Sequence, residues 1–74
     1  MTVDRIGEAA GAVWRKLSEK GSQGLVDLKK LPGFTADEVA AGIGWLAREG
    51  KLSFESNNAA KKIVVKLAEE PAFS

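Results

Sequence analysis

From Phe34 to Leu52 the chain reads FTADEVAAGIGWLAREGKL, and Val39, Ile43, Leu46 and Ala47 recur within it at i, i+4, i+7 and i+8. That spacing lays one apolar stripe along a helix. Thr35 and Glu38 stand three positions apart at its head, the pattern of a capping box. In that motif each side chain satisfies a backbone N–H that the first helical turn leaves without a partner. Phe34 and Val39 occupy the staple positions just outside and just inside the start, and Gly50 supplies the left-handed residue that ends the helix. Lys51 and Leu52 follow at once. From there Leu52 and Phe54, then Ile63, Val65 and Leu67, recur with the period of a half-buried β-hairpin.

Upstream, Ile6, Ala9, Ala10, Val13 and Leu17 share one face of a helix predicted from Val3 to Lys20, with Arg5, Glu8, Arg15 and Glu19 opposite. Gly21 stops it. Gly7 and Gly11 lie inside this helix at about 1 kcal/mol each relative to alanine, which predicts close packing there. The natural counterpart is the small-residue stripe Ala36, Ala40, Gly44 and Ala47 of the later helix. The same G-x-x-x-G spacing occurs in membrane helix dimers, but the flanking charges exclude that reading. Ser22, Gln23 and Gly24 are turn residues. Leu25, Leu28 and Leu31, spaced by three, suit a short helix buried on one side, with Lys29 and Lys30 toward water. Pro32 and Gly33 end it and turn the chain into Phe34. Between the two strands, Asn57 and Asn58 tolerate positive φ, and the Lys61–Lys62 pair follows, which reads as an exposed hairpin tip.

At 74 residues the chain makes one domain. A domain of this size buries roughly 60% of its unfolded surface, and per-residue values imply about 4–11 kcal/mol of total stability. The predicted core is Ile6, Val13, Leu17, Leu28, Leu31, Val39, Ile43, Leu46, Phe54, Val65 and Leu67. The domain is read over residues 1–68, with 69–74, carrying Glu69, Glu70 and Pro71, as a flexible tail. Cysteine is absent, so no disulfide framework or thiolate metal site is expected, and a reducing cytoplasm is the expected compartment. No stretch approaches the roughly 20 apolar residues of a membrane span. The formal net charge of +1 removes the composition-level argument for a nucleic-acid binder, so any such case rests on local charge.

Helix, short helix, capped helix, hairpin is the order of a winged helix-turn-helix: mostly α with a β-hairpin, three helices plus a two-stranded wing, with room for a short third strand near Gln23. The run LAREGKL at 46–52 is similar to the helix-to-wing junction of that superfamily. More specifically, IGEAAGAVW at 6–14 and GWLAREGK at 44–51 resemble a small bacterial and archaeal winged-helix family known only as a domain of unknown function. The resemblance extends to about Leu67. It implies the winged fold and a regulatory role, and it brings no catalytic or ligand residues to carry over.

Catalysis is poorly served. Histidine and cysteine are both absent, and no Ser or Lys is set beside an evident base. Asp37 and Glu38 belong to a helix start, where the macrodipole favours negative charge. Gly42, Gly44 and Ala47 spell a dinucleotide fingerprint, but in mid-helix rather than between a strand and a helix, so the match is discarded. No enzyme activity, cofactor, metal or small-molecule substrate is expected.

DNA recognition, which the winged order suggests, calls for Arg, Lys, Asn or Gln on the helix that enters the major groove. On a helical wheel Asp37, Ala41, Gly44, Trp45 and Arg48 are outermost, and only Arg48 is a good reader. Asp37, Glu38 and Glu49 would repel phosphates. Positive charge gathers instead at Lys51, Lys61, Lys62 and Lys66 against Glu55, and such lysines also serve to keep an edge strand from pairing. The candidate nucleic-acid contacts are therefore Lys61, Lys62 and Arg48, in weak and sequence-tolerant binding. The candidate protein interface is Trp45 with Ala41 and Arg48, the simplest case being a homodimer. For Trp45 two placements remain open, exposed on its helix or packed beneath Phe54 and the hairpin. Trp14 lies at the edge of the first helix stripe, a core boundary.

Overall fold

The computed structural model describes residues 1–59 and 61–68. The elements are α1 (Val3–Lys20), β1 (Gln23–Gly24), α2 (Leu25–Leu28), α3 (Ala36–Arg48), β2 (Leu52–Asn57) and β3 (Lys62–Leu67). They form a winged helix-turn-helix: three helices and a three-stranded antiparallel sheet in the order β1-β3-β2. The third strand near Gln23 is present, pairing Gln23 with Val65 and Gly24 with Val64. The wing runs in register from Leu52 opposite Leu67 to Asn57 opposite Lys62.

The helix ends follow the sequence closely. In the capping box, Glu38 N–H donates to Thr35 Oγ1 at 3.1 Å and Thr35 N–H donates to Glu38 Oε1 at 2.9 Å. At the other end of α3, Lys51 N–H donates to the Leu46 carbonyl and Gly50 N–H to the Ala47 carbonyl, both at 3.0 Å, with Gly50 at φ 73. That paired closure is a Schellman motif, and it hands the chain directly to β2. Thr2 caps α1 by accepting from the Arg5 N–H, and Gly21 at φ 78 closes it.

One core holds the layers together: Ala10, Val13 and Leu17 of α1, Leu28 of α2, Val39, Ile43 and Leu46 of α3, and Leu52 and Val65 of the sheet. Leu25, Leu31, Phe34 and Leu67 pack around it. Two expected core members lie elsewhere. Phe54 is 46% exposed although its cross-strand partner Val65 is fully buried, because β2 is the edge strand of the sheet and β3 the central one; Leu52, one pleat earlier on the same face and just after α3, takes the buried place. Ile6 is only partly buried, near the start of α1.

The close approach of α1 and α3 also differs from expectation. A Cβ on Gly7 or Gly11 would meet nothing within 4 Å, so neither is a packing glycine. The tight point is Gly42, where a Cβ would come within 2.7 Å of the Ala10 backbone nitrogen. The small residues of contact are thus Ala9 and Ala10 on α1 and a glycine on α3, the reverse of the predicted assignment. In the hairpin tip, the non-glycine residue at positive φ among the described residues is Lys61, φ 53, rather than either asparagine. The tail assigned to 69–74 lies outside the described residues.

Candidate functional site

The outer face of α3 is built from residues that the core does not claim. Val39, Gly42, Ile43 and Leu46 turn inward, which leaves Asp37, Ala40, Gly44, Trp45 and Arg48 exposed and Ala41 half-buried. Trp45 is 42% exposed, which answers the open question of its placement. It lines an open groove with Ile6, Ala41, Gly44, Arg48 and Glu49, with no wing residue among them. Its indole N–H donates to Glu49 Oε1 at 2.6 Å, one helical turn on, so the polar edge of the ring is satisfied within the chain. The rest of the ring is apolar surface beside a floor of alanine and glycine. Ile6 of α1 is a wall of this groove that sequence reasoning assigned to the core; only the crossing of α1 over α3 brings it there.

Beside this groove α1 is tied to the start of α3. Arg5, expected on the solvent face, forks onto Glu38, with Nε donating to Oε2 and Nη2 to Oε1 at 3.1 Å each. Nη2 also donates to the Gly33 carbonyl, Nη1 reaches Glu8 at 3.3 Å, and the guanidinium lies 4.6 Å from the centre of the Phe34 ring. Glu38 is buried, yet the Arg5 hydrogen bonds, reinforced by that from the Thr35 backbone, hold its carboxyl at about 2, against an ordinary value of 4.5. Desolvation opposes that shift and loses to it. Glu38 in turn raises Arg5. Four of the five guanidinium N–H groups and both Glu38 oxygens are turned on the protein itself, which makes the group a fastening rather than a binding site.

On the wing, Lys66 pairs with Glu55 at 2.6 Å, and Lys51 lies 3.9 Å from Glu49. Lys61 and Lys62 are exposed and have no ion-pair partner among the described residues. Arg48 is likewise unpaired there, but it stands on α3 and lines the groove with Trp45. Among the described residues no group of carboxylates is clustered as a metal site, and no helix is long and apolar enough to cross a membrane.

Three helices, a short third strand and a Schellman-closed entry into a hairpin define a winged helix-turn-helix domain. The chain belongs to the winged helix-turn-helix domain family DUF2582, whose pattern it matches over residues 1–67. It is similar to the uncharacterized protein MJ1608 of Methanocaldococcus jannaschii, 38% identical over 66 residues that cover 85% of this chain and 90% of that one.

Proposed function

We propose that this domain is a non-enzymatic contact module of the cytoplasm, which engages protein through the outer face of α3, Trp45 with Ala41 and Arg48. A second copy of the chain is the simplest partner. One observation carries the reading: a tryptophan 42% exposed, with its N–H already satisfied, on the helix that a DNA-reading winged domain would turn toward bases. A large apolar ring beside small residues is the usual anatomy of an interface anchor. The acidic residues at the two ends of α3 oppose phosphate, and the lack of histidine and cysteine supports a role without catalysis.

Sedimentation velocity over a range of concentrations tests it. The wild type should sediment as a dimer that Trp45→Ala converts to a folded monomer with its melting transition retained. A wild type that stays monomeric at high concentration leaves only a foreign partner, and a monomer whose melting temperature falls on Trp45→Ala makes the residue a packing element instead.

A second reading is favoured by the two unpaired cations of the wing tip. Lys61 and Lys62, with Arg48, would hold a nucleic-acid backbone weakly and without sequence preference.

A further inference from the structure

The outer face of α3 has a property that its individual residues do not reveal. Asp37, Ala40, Ala41, Gly44, Trp45 and Arg48 follow one another at intervals of three, one, three, one and three, a spacing that reads the same in both directions. A two-fold axis crossing α3 between Gly42 and Ile43 therefore matches Asp37 with Arg48, Ala40 with Trp45 and Ala41 with Gly44. Each match is complementary: acid with base, large with small, small with small.

We infer that two copies of this chain associate through antiparallel α3 helices in this register, Asp37 of each facing Arg48 of the other and each Trp45 seated on the opposing Ala40. The inference rests on the homodimer reading above and specifies its geometry. An isologous interface requires that residue i meet residue j and j meet i; the spacing of any helix face can satisfy that, and here each of the three matches it produces is complementary in charge or in size. The parallel arrangement, with the axis running along the helices, would set Asp37 against Asp37 and Arg48 against Arg48. The charges therefore select the antiparallel one.

Three features of the single chain agree. Neither Asp37 nor Arg48 has an ion-pair partner among the described residues. A Cβ on Gly44 would meet nothing within 4 Å, so nothing among the described residues asks for glycine there; Gly7 and Gly11 share that freedom, but of the three only Gly44 belongs to the matched stripe. With Ala41 it lets two helix axes come to the short end of the roughly 8–10 Å range for packed helices. Glu49 accepts from the indole N–H, so the polar edge of the ring is satisfied before any partner arrives and its apolar face is what remains to be covered.

Charge reversal tests the register. Asp37→Arg and Arg48→Asp should each weaken dimerisation by about tenfold, by turning two attractive pairs into repulsive ones. The double variant Asp37→Arg/Arg48→Asp should return to within about threefold of wild type, since both pairs re-form with their signs exchanged. Because Asp37→Arg also removes a charge that suits a helix start, cysteine cross-linking gives an independent measurement in a chain that has none of its own. Asp37→Cys chains mixed with Arg48→Cys chains should form a disulfide-linked dimer on oxidation, and neither should do so alone. A wild-type dimer that is insensitive to both reversals, or not restored by the double variant, or not cross-linked in the mixture, overturns the register while leaving dimerisation through another surface. A monomeric wild type overturns the dimer reading and the register together.

Discussion

Arg5 and Glu38 lie 33 positions apart and meet through two hydrogen bonds of 3.1 Å, with the Phe34 ring stacked beside the guanidinium. The fork fastens the first turn of α1 to the first turn of α3 next to the groove that holds Trp45. Glu38 serves two purposes at once, closing the capping box with one oxygen while both oxygens receive Arg5.

Acid should loosen this fastening in a defined window. Glu38 has a folded-state pKa of about 2, below the ordinary 4.5, so the folded state binds its proton less readily than the unfolded state does. Its contribution to stability is complete above about pH 4.5 and disappears as the pH falls toward 2. Urea unfolding between pH 6 and pH 2 should show stability decreasing with falling pH across that interval. Glu38→Gln, which keeps the capping geometry, should be less stable at neutral pH and show a flatter profile. Equal slopes in the two proteins would mean that other carboxylates dominate.

The glycines of the α1–α3 contact should divide in sign. Gly42→Ala forces a Cβ to within 2.7 Å of backbone and should destabilise by about 1–3 kcal/mol despite the better helix propensity of alanine. Gly7→Ala and Gly11→Ala enter open space on a helix and should stabilise by roughly 0.5–1 kcal/mol each. Thermal unfolding of the three variants decides the matter, and a destabilising Gly11→Ala would show that α1 packs otherwise.

Inside the small core the expected effects are larger. Leu28 and Ile43 are buried, and Leu28→Ala should cost about 2–5 kcal/mol, a large share of the roughly 4–11 kcal/mol open to a chain of this size. Ile43→Asp buries an unpaired carboxylate and should unfold the domain at neutral pH, read as loss of far-ultraviolet circular dichroism. On the wing, Phe54→Ala should cost less than Leu52→Ala, since Phe54 is the exposed member of that pair.

Why these positions were legible to different degrees follows from the range of the interaction. The capping box, the Gly50 closure and the alternation of Leu52 and Phe54 are local, so their spacing alone indicates α3 and the wing. Which strand lies at the edge of the sheet is not local, and Phe54 and Leu52 look equivalent in a period-two pattern although one is buried and the other is not. The same holds for the glycines: G-x-x-x-G marks a candidate contact, but which helix supplies the glycine and which the alanines depends on the crossing point. Arg5 was hidden for a further reason. Its spacing sets it with Glu8 on the polar side of α1, and its partner Glu38 lies 33 positions away, so no local pattern marks the contact. The groove at Trp45 was half visible: Ala41, Trp45 and Arg48 share a helical face in sequence, whereas Ile6 joins them through tertiary structure alone.

The wing lysines separate the two functional readings by salt. Each phosphate contact on duplex DNA releases counterions and adds about 0.9 to the slope of log affinity against log salt. If Lys61 and Lys62 make such contacts, Lys61→Ala/Lys62→Ala should reduce that slope by about 1.8, with little dependence on DNA sequence. Lys66→Ala supplies the control, because Lys66 is already engaged with Glu55 at 2.6 Å and should contribute little to the slope. Arg48 gives the decisive comparison, since it belongs to both surfaces. In a nucleic-acid binder Arg48→Ala lowers DNA affinity and leaves the sedimentation coefficient unchanged. In a contact module joined through α3 it lowers the dimer fraction, and the Lys61→Ala/Lys62→Ala protein sediments as wild type. Sequence-selective binding retained at physiological salt would return the outer face of α3 to base recognition and displace the protein-contact reading.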